Sequence, residues 1–217
     1  MTKVKICGVK RQETLELLAE LKVDYVGFLF AESRRRISAE EAGKLLRSAQ
    51  YPPAAVGVFV NPTFSELEEV LSYAPLSVIQ LHGTESVAFC REVADRFRLP
   101  VWKAIAVSAE ERLTEVLKSY QGAVDAFLFD THDPKQAGGT GKRFSWEVIP
   151  RLREQAKETI CIIAGGINES NVGELLVDYQ PQMIDISSGV ETDGEKDREK
   201  IRRFMQRVRA YDHTDDR

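Results

Sequence analysis

The residues most able to do chemistry in this chain are a thiol and a carboxyl, each closing a short apolar run. Cys7 follows Lys5-Ile6, and Asp130 follows Phe127-Leu128-Phe129. A thiolate stabilised by nearby positive charge can act as a base. A carboxylic acid in apolar surroundings keeps its proton to higher pH and can then donate it. Each residue also has a plainer reading. A free cysteine is commonly a small interior hydrophobe, and aspartate is frequent at turns and caps. Cys90, mid-helix, and Cys161, early in a strand, read as structural.

A second group of residues would bind rather than react. Ala164-Gly165-Gly166-Ile167 and Ser187-Ser188-Gly189-Val190 each end an apolar run, and Gly138-Gly139-Thr140-Gly141 lies in a long connection. Glycines let backbone N–H groups approach an anion closely, and helix N-termini favour negative charge. Turns alone would explain one such pair, but several at neighbouring strand ends point to a phosphate site. Arg34-Arg35-Arg36 can be a solvated charge run or can lend one guanidinium to an anionic ligand. Gln80, His82, Lys103 and Asp185 are polar residues within or ending apolar runs, and Lys5 shares a strand face with Cys7. Buried charges are costly unless paired, so this set suggests a polar pocket. His82 stands without a second ligand at metal spacing, and His132 and His213 are isolated, so no metal is expected. Trp102 and Trp146 read as packing residues.

These groups need elements to position them, and the chain supplies eight repeats of one unit. Strands are expected near Val4–Val9, Tyr25–Phe30, Ala55–Val60, Val78–His82, Val101–Val107, Ala126–Asp130, Ile160–Ala164 and Ile184–Ser188. Near-continuous apolar runs suit buried parallel strands. Between them lie amphipathic patterns: Leu15, Leu18 and Leu21; Phe64, Leu67 and Val70-Leu71; and Ile201, Phe204 and Val208 in a last helix from about Lys196 to Arg209. Ser38 before Glu41, Thr63 before Glu66 and Ser108 before Glu111 are helix starts. Eight strand–helix units predict an α/β fold, a single (β/α)8 TIM barrel. A doubly wound sheet usually has fewer units, and no dinucleotide fingerprint follows the first strand. In such a barrel the active site lies at the C-terminal strand ends, where Cys7, His82, Asp130 and the glycine clusters are expected.

The 217 residues suit one domain, taken as 1–210 with a polar tail at 211–217. The composition is 43% hydrophobic and 29% charged, with a net charge of −4 and scattered basic residues, so no nucleic-acid partner is expected. No apolar run approaches the roughly 20 residues that span a bilayer, and the start lacks a signal-peptide pattern. Three cysteines without metal-ligand spacing suit a reducing, cytoplasmic compartment.

Taken in order, the motifs resemble phosphoribosylanthranilate isomerase. They are Lys5-Ile6-Cys7-Gly8, Gly27-Phe28 with the later Ser33 to Ser38 segment, Gly57-Val58-Phe59-Val60-Asn61, and Gln80-Leu81-His82-Gly83. Asp130 with the following Gly-Gly-Thr-Gly, Ala164-Gly165-Gly166-Ile167, and Asp185-Ile186-Ser187-Ser188-Gly189-Val190-Glu191 complete the set. The resemblance spans nearly the whole chain. It implies an Amadori rearrangement of N-(5-phosphoribosyl)anthranilate in tryptophan biosynthesis, with Cys7 as general base and Asp130 as general acid. It implies that Arg35, by register, with His82 and Asp185, binds the substrate. The phosphate would rest on Gly139, Gly141, Gly165, Gly166, Ser188 and Gly189. The substrate's nitrogen serves as electron sink, so the family reaction implies no cofactor. The partner is then a small phosphosugar, and the protein a monomer or homodimer.

Two other readings use the same residues. The histidine-pathway aminoaldose isomerase performs this rearrangement with paired aspartates, whereas the first-strand position here is Cys7. A non-catalytic barrel that senses a phosphorylated ligand would keep the glycine clusters and need neither Cys7 nor Asp130.

Overall fold

The apolar runs form parallel strands, and the segments between them form helices. A computed structural model describes residues 1–107, 110–131 and 144–212. The elements are β1 (Lys3–Cys7), α1 (Gln12–Glu20), β2 (Tyr25–Leu29), α2 (Ala39–Ser48), β3 (Ala54–Phe59), α3 (Phe64–Tyr73), β4 (Val78–Leu81), α4 (Val87–Phe97) and β5 (Val101–Val107). They continue with α5 (Glu110–Tyr120), β6 (Ala126–Thr131), α6 (Ile149–Ala156), β7 (Ile160–Ile163), α7 (Val172–Tyr179) and β8 (Met183–Ile186). A short hairpin of β9 (Glu191–Thr192) and β10 (Glu195–Lys196) precedes α8 (Arg198–Asp212). Strands β1 to β8 follow one another in sequence order around a closed barrel, the (β/α)8 architecture.

The contacts divide the chain into two compact units. One is Lys5–Ala104 with Gly122–Asp125; the other is Met1–Val4, Ile105–Gln121 and Ala126–Arg217. In the first, β1 to β5 pair in parallel, with Cys7 opposite Gly27, Gly27 opposite Val56 and Gln80 opposite Trp102. Its core is Ile6, Val26, Phe28, Val56, Ile79 and Leu81, all buried, covered by Leu15, Leu17 and Leu18 of α1. Trp102 packs edge-on against Tyr25 at 5.0 Å, as a core residue. In the second unit β6 to β8 pair in parallel, and Phe127, Phe129, Ile162 and Ile184 are buried, as are Ile201, Phe204 and Val208 of α8.

Helix starts follow local chemistry. Ser38 accepts from the Glu41 amide at 3.2 Å while Glu41 accepts from the Ser38 amide at 3.0 Å; Thr63 and Glu66 repeat the pattern. These bonds to the cap amides hold both carboxyls below the usual carboxylate range. Each such cap contributes about 1 kcal/mol. The expected cap at Ser108 lies outside the described residues. Two expectations are corrected. Leu21 is the half-buried C-cap of α1, and Leu17 is buried in its place. The last helix begins at Arg198, because Lys196 belongs to β10 and Asp197 turns the chain into α8. Asp197 Oδ1 accepts from the amides of Glu199 and Lys200 at 2.9 and 3.0 Å. None of the described helices is long and apolar enough to cross a membrane.

Candidate active site

In the unit that carries Cys7, the thiol closes β1 and is buried. Its neighbour on β2 must be glycine. A β-carbon built on Gly27 would lie 2.6 Å from the Cys7 sulfur and 3.1 Å from the Lys5 ε-carbon. Thiol and lysine stem therefore border the same small gap, as their shared face predicts. Lys5 is wholly buried. The chain then turns at Gly8, whose φ of +84° suits glycine, and a β-carbon there would lie 2.6 Å from Arg35 Cδ. Arg35 is thus the member of the arginine run that lies over the turn after Cys7.

Local structure selects that arginine. The Ser33 hydroxyl accepts from the Arg35 amide at 3.1 Å, and Leu29 and Arg36 form a parallel bridge. The resulting turn buries Arg35, 7% exposed, while Arg34 and Arg36 stay exposed. Arg36 instead pairs with Glu32 at 3.1 Å.

His82 follows β4, and its Nδ1 lies 3.0 Å from Gln80 Nε2. This contact ties the His82 ring to the buried Gln80 side chain of β4. Gln80 is buried, and its Oε1 has no hydrogen-bond partner among the described residues. Lys103 is not a free catalytic cation. It pairs with Glu85 at 3.0 Å and donates to the carbonyls of Leu81, Gly83 and Ala104 at 3.2, 2.8 and 3.0 Å. Glu85 in turn accepts from the Asn61 and Gly83 amides at 2.8 and 3.0 Å. Sequence reasoning missed Glu85, which sits one residue before the α4 cap Ser86 and looks like a surface acid. The pair ties β5 to the connections that leave β3 and β4.

The other unit holds a pocket lined by Asp130, Gly165, Gly166, Asp185, Ser187 and Ser188, among others. It gathers the ends of β6, β7 and β8. Asp130 Oδ1 accepts from the Thr131 amide at 2.7 Å, which fixes the carboxyl's orientation. Gly165 has φ +80°, and a β-carbon there would meet Thr131 Oγ1 at 2.4 Å and Asp130 Oδ1 at 2.8 Å. The β7 turn therefore runs directly against the carboxyl, with no room for a side chain. Gly166 also has a left-handed φ of +66°. Its carbonyl is held by the side-chain amides of Asn168 and Asn171 at 3.3 and 2.9 Å. Asp185, half-buried in β8, lines the same pocket. A β-carbon on Gly189 would lie 2.0 Å from the Ile167 carbonyl oxygen, so the β7 and β8 turns touch through it.

This unit therefore brings Asp130, Gly165, Gly166, Asp185 and Ser188 to one pocket, with Gly189 adjoining it. Gly139, Gly141 and His132, like His213, lie outside the described residues. Cys90 and Cys161 are buried, and burial pushes both thiols up to about 11. That suits packing residues rather than nucleophiles. The carboxyl, main-chain amides in tight glycine turns and a second carboxylate can hold a phosphate and move a proton at a sugar.

Residues 4–207 match the family model described as N-(5'phosphoribosyl)anthranilate (PRA) isomerase. The N-(5'-phosphoribosyl)anthranilate isomerase of Brevibacillus brevis is 60% identical over 212 residues, which is 98% of this chain and 96% of that protein. A crystal structure of monomers generated from the dimeric phosphoribosylanthranilate isomerase of Thermotoga maritima matches with TM-score 0.83 and 35% identity, over 97% of this chain and 100% of that one. A phosphoribosylanthranilate isomerase in complex with reduced 1-(o-carboxyphenylamino)-1-deoxyribulose 5-phosphate matches with TM-score 0.82 and 32% identity, again over 97% and 100%.

Proposed function

We infer the reaction from kinship: this chain belongs to the N-(5'-phosphoribosyl)anthranilate isomerase family. It converts N-(5'-phosphoribosyl)anthranilate into 1-(o-carboxyphenylamino)-1-deoxyribulose 5-phosphate, an Amadori rearrangement in tryptophan biosynthesis. The observation that carries the residue assignment is the pocket in which Asp130 lies against the glycine turn of β7.

Asp130 supplies the proton to the furanose oxygen, and the ring opens to a Schiff base at C1. The positive nitrogen makes the C2 proton acidic. Cys7 takes it as a thiolate, and the electrons of that C–H bond form the C1–C2 double bond of an enolamine. C1 then gains a proton as the C2 hydroxyl loses one, leaving the ketone. Protons are moved and none is lost, so no co-reactant is needed. The anthranilate nitrogen is the electron sink, and general acid and base each contribute roughly 10²–10⁴-fold. The buried Lys5 stem borders the same gap as the Cys7 thiol, and the Arg35 stem lies over the Gly8 turn that follows it.

The substrate's carboxylate and hydroxyls meet Arg35, His82 and Asp185. The phosphate rests on amides of the turns at Gly165–Gly166 and Ser188–Gly189, with Gly139 and Gly141 as further contributors. The catalytic domain is residues 1–210, and the partner is this phosphosugar, not a nucleic acid or a membrane. The compartment we assign is the cytoplasm. Monomer and homodimer both fit; the Thermotoga maritima relative is dimeric.

A turnover assay tests the assignment. Cys7→Ser is expected to lower kcat by orders of magnitude with a modest change in KM, and Asp130→Asn to abolish acid catalysis. Near-normal turnover in either variant removes that residue from the mechanism. A wild-type protein that binds the substrate without consuming it favours the sensor reading.

A further inference from the structure

The β9–β10 hairpin carries an ion pair that the reaction above does not use. Lys196 stands opposite Glu191 in the hairpin register, and their side chains are only 5% and 4% exposed. The Lys196 ammonium pairs with Glu191 and donates to the Ser187 carbonyl at 3.0 Å and the Ser187 hydroxyl at 3.2 Å. Lys200 holds the same end of the hairpin by donating to the Glu191 carbonyl at 2.7 Å. Ser187 itself has φ −128° and ψ −78°, which is neither strand nor helix, and the helical turn Ser188–Val190 begins at the next residue. The Val190 amide reaches the Ser187 carbonyl at 3.4 Å, and the shorter bond to that oxygen comes from the Lys196 side chain.

A trans peptide is planar, with its C=O and N–H on opposite edges. An ammonium that holds the Ser187 carbonyl therefore turns the Ser188 N–H the opposite way. Ser187 and Ser188 both line the pocket beside Asp130 and Gly165. A buried ion pair is weak evidence for stability, because desolvation offsets the attraction. An apolar side chain could fill the same volume, but it could not orient a peptide.

We propose that Lys196 is a positioning residue for phosphate: held by Glu191, it clamps the Ser187 carbonyl and so aims the Ser188 amide at the substrate's phosphate. The proposal rests on the phosphate assignment above. Glu191 cancels its charge, so Lys196 acts through geometry rather than as a contact to the anion.

The test compares wild type, Lys196→Met and Lys196→Arg for KM, kcat, competitive inhibition by inorganic phosphate, and thermal midpoint. Lys196→Met is expected to raise KM and the phosphate inhibition constant together by about tenfold, the scale of one charge-assisted hydrogen bond. Its kcat should fall less than its KM rises. Lys196→Arg keeps a cationic donor and is expected to recover most of both constants. If Lys196→Met lowers the midpoint but leaves KM and phosphate inhibition at wild-type values, Lys196 is only a brace and the proposal is overturned. Should that variant not fold, Lys196→Gln serves the same comparison, and the Ser188 amide resonance of wild type must shift on phosphate titration; an unmoved resonance also overturns it. A wild type that neither turns over substrate nor is inhibited by phosphate sinks the underlying assignment instead.

Discussion

Gly27→Ala adds one methyl group to a strand and should disable the proposed base without replacing it. Gly27 sits within β2 at an ordinary strand conformation, so alanine meets no backbone penalty there. The new carbon would stand 2.6 Å from the Cys7 sulfur and 3.1 Å from the Lys5 ε-carbon. An ordinary carbon–sulfur contact needs roughly 1 Å more, given optimal separations near 3.5–4 Å between heavy atoms. The Lys5 stem is fully buried and has little space to yield, so the thiol must move. Misplacing a reacting group by about 1 Å costs on the order of 10²-fold in rate. Overpacking a core costs about 1–3 kcal/mol, partly offset by the lower chain entropy of unfolded alanine relative to glycine. The expected outcome is a folded protein, modestly less stable, whose kcat falls about 10²-fold. Loss of substrate fluorescence measures turnover, and urea denaturation measures stability. A Gly27→Ala protein with kcat within about threefold of wild type would falsify the claim that the position of the thiol controls the reaction.

Three further outcomes are expected. Gly189→Asp puts a side chain 2.0 Å from the Ile167 carbonyl and a negative charge beside the phosphate turn, so KM for substrate should rise; an unchanged KM contradicts the phosphate assignment. Glu85→Gln leaves the buried Lys103 ammonium without its counter-charge and should cost about 3–5 kcal/mol in urea denaturation, with an unshifted midpoint as the contrary result. Cys90 and Cys161, pushed up to about 11, hold on the order of 10⁻³ of their population as thiolate at pH 8. Iodoacetamide should therefore spare both in the native protein and label them after unfolding, and rapid native labelling of either would refute their packing role.

The sequence determines this protein's repeat and its chemistry-bearing ends. Strand runs such as Phe127-Leu128-Phe129, caps such as Ser38 with Glu41, and the glycine turns after β7 and β8 are written within a few residues, because hydrogen-bonding propensity and backbone freedom are local. Once eight such units are counted, the barrel rule marks Cys7, Asp130 and the glycines as candidates. Residue type alone does not say which arginine turns inward, since Arg34, Arg35 and Arg36 are identical, and only the family register pointed to Arg35. A turn fixed by Ser33 and the Leu29–Arg36 bridge decides for Arg35. Nor could Lys103 be matched with Glu85, or Lys196 read as anything but the start of a helix. Strands of two residues are too short to show a period, and the partner of a buried charge depends on where the folded chain returns. Tertiary structure alone makes those choices, because a buried cation is tolerable only where the path of the backbone brings a carboxylate and carbonyls to meet it.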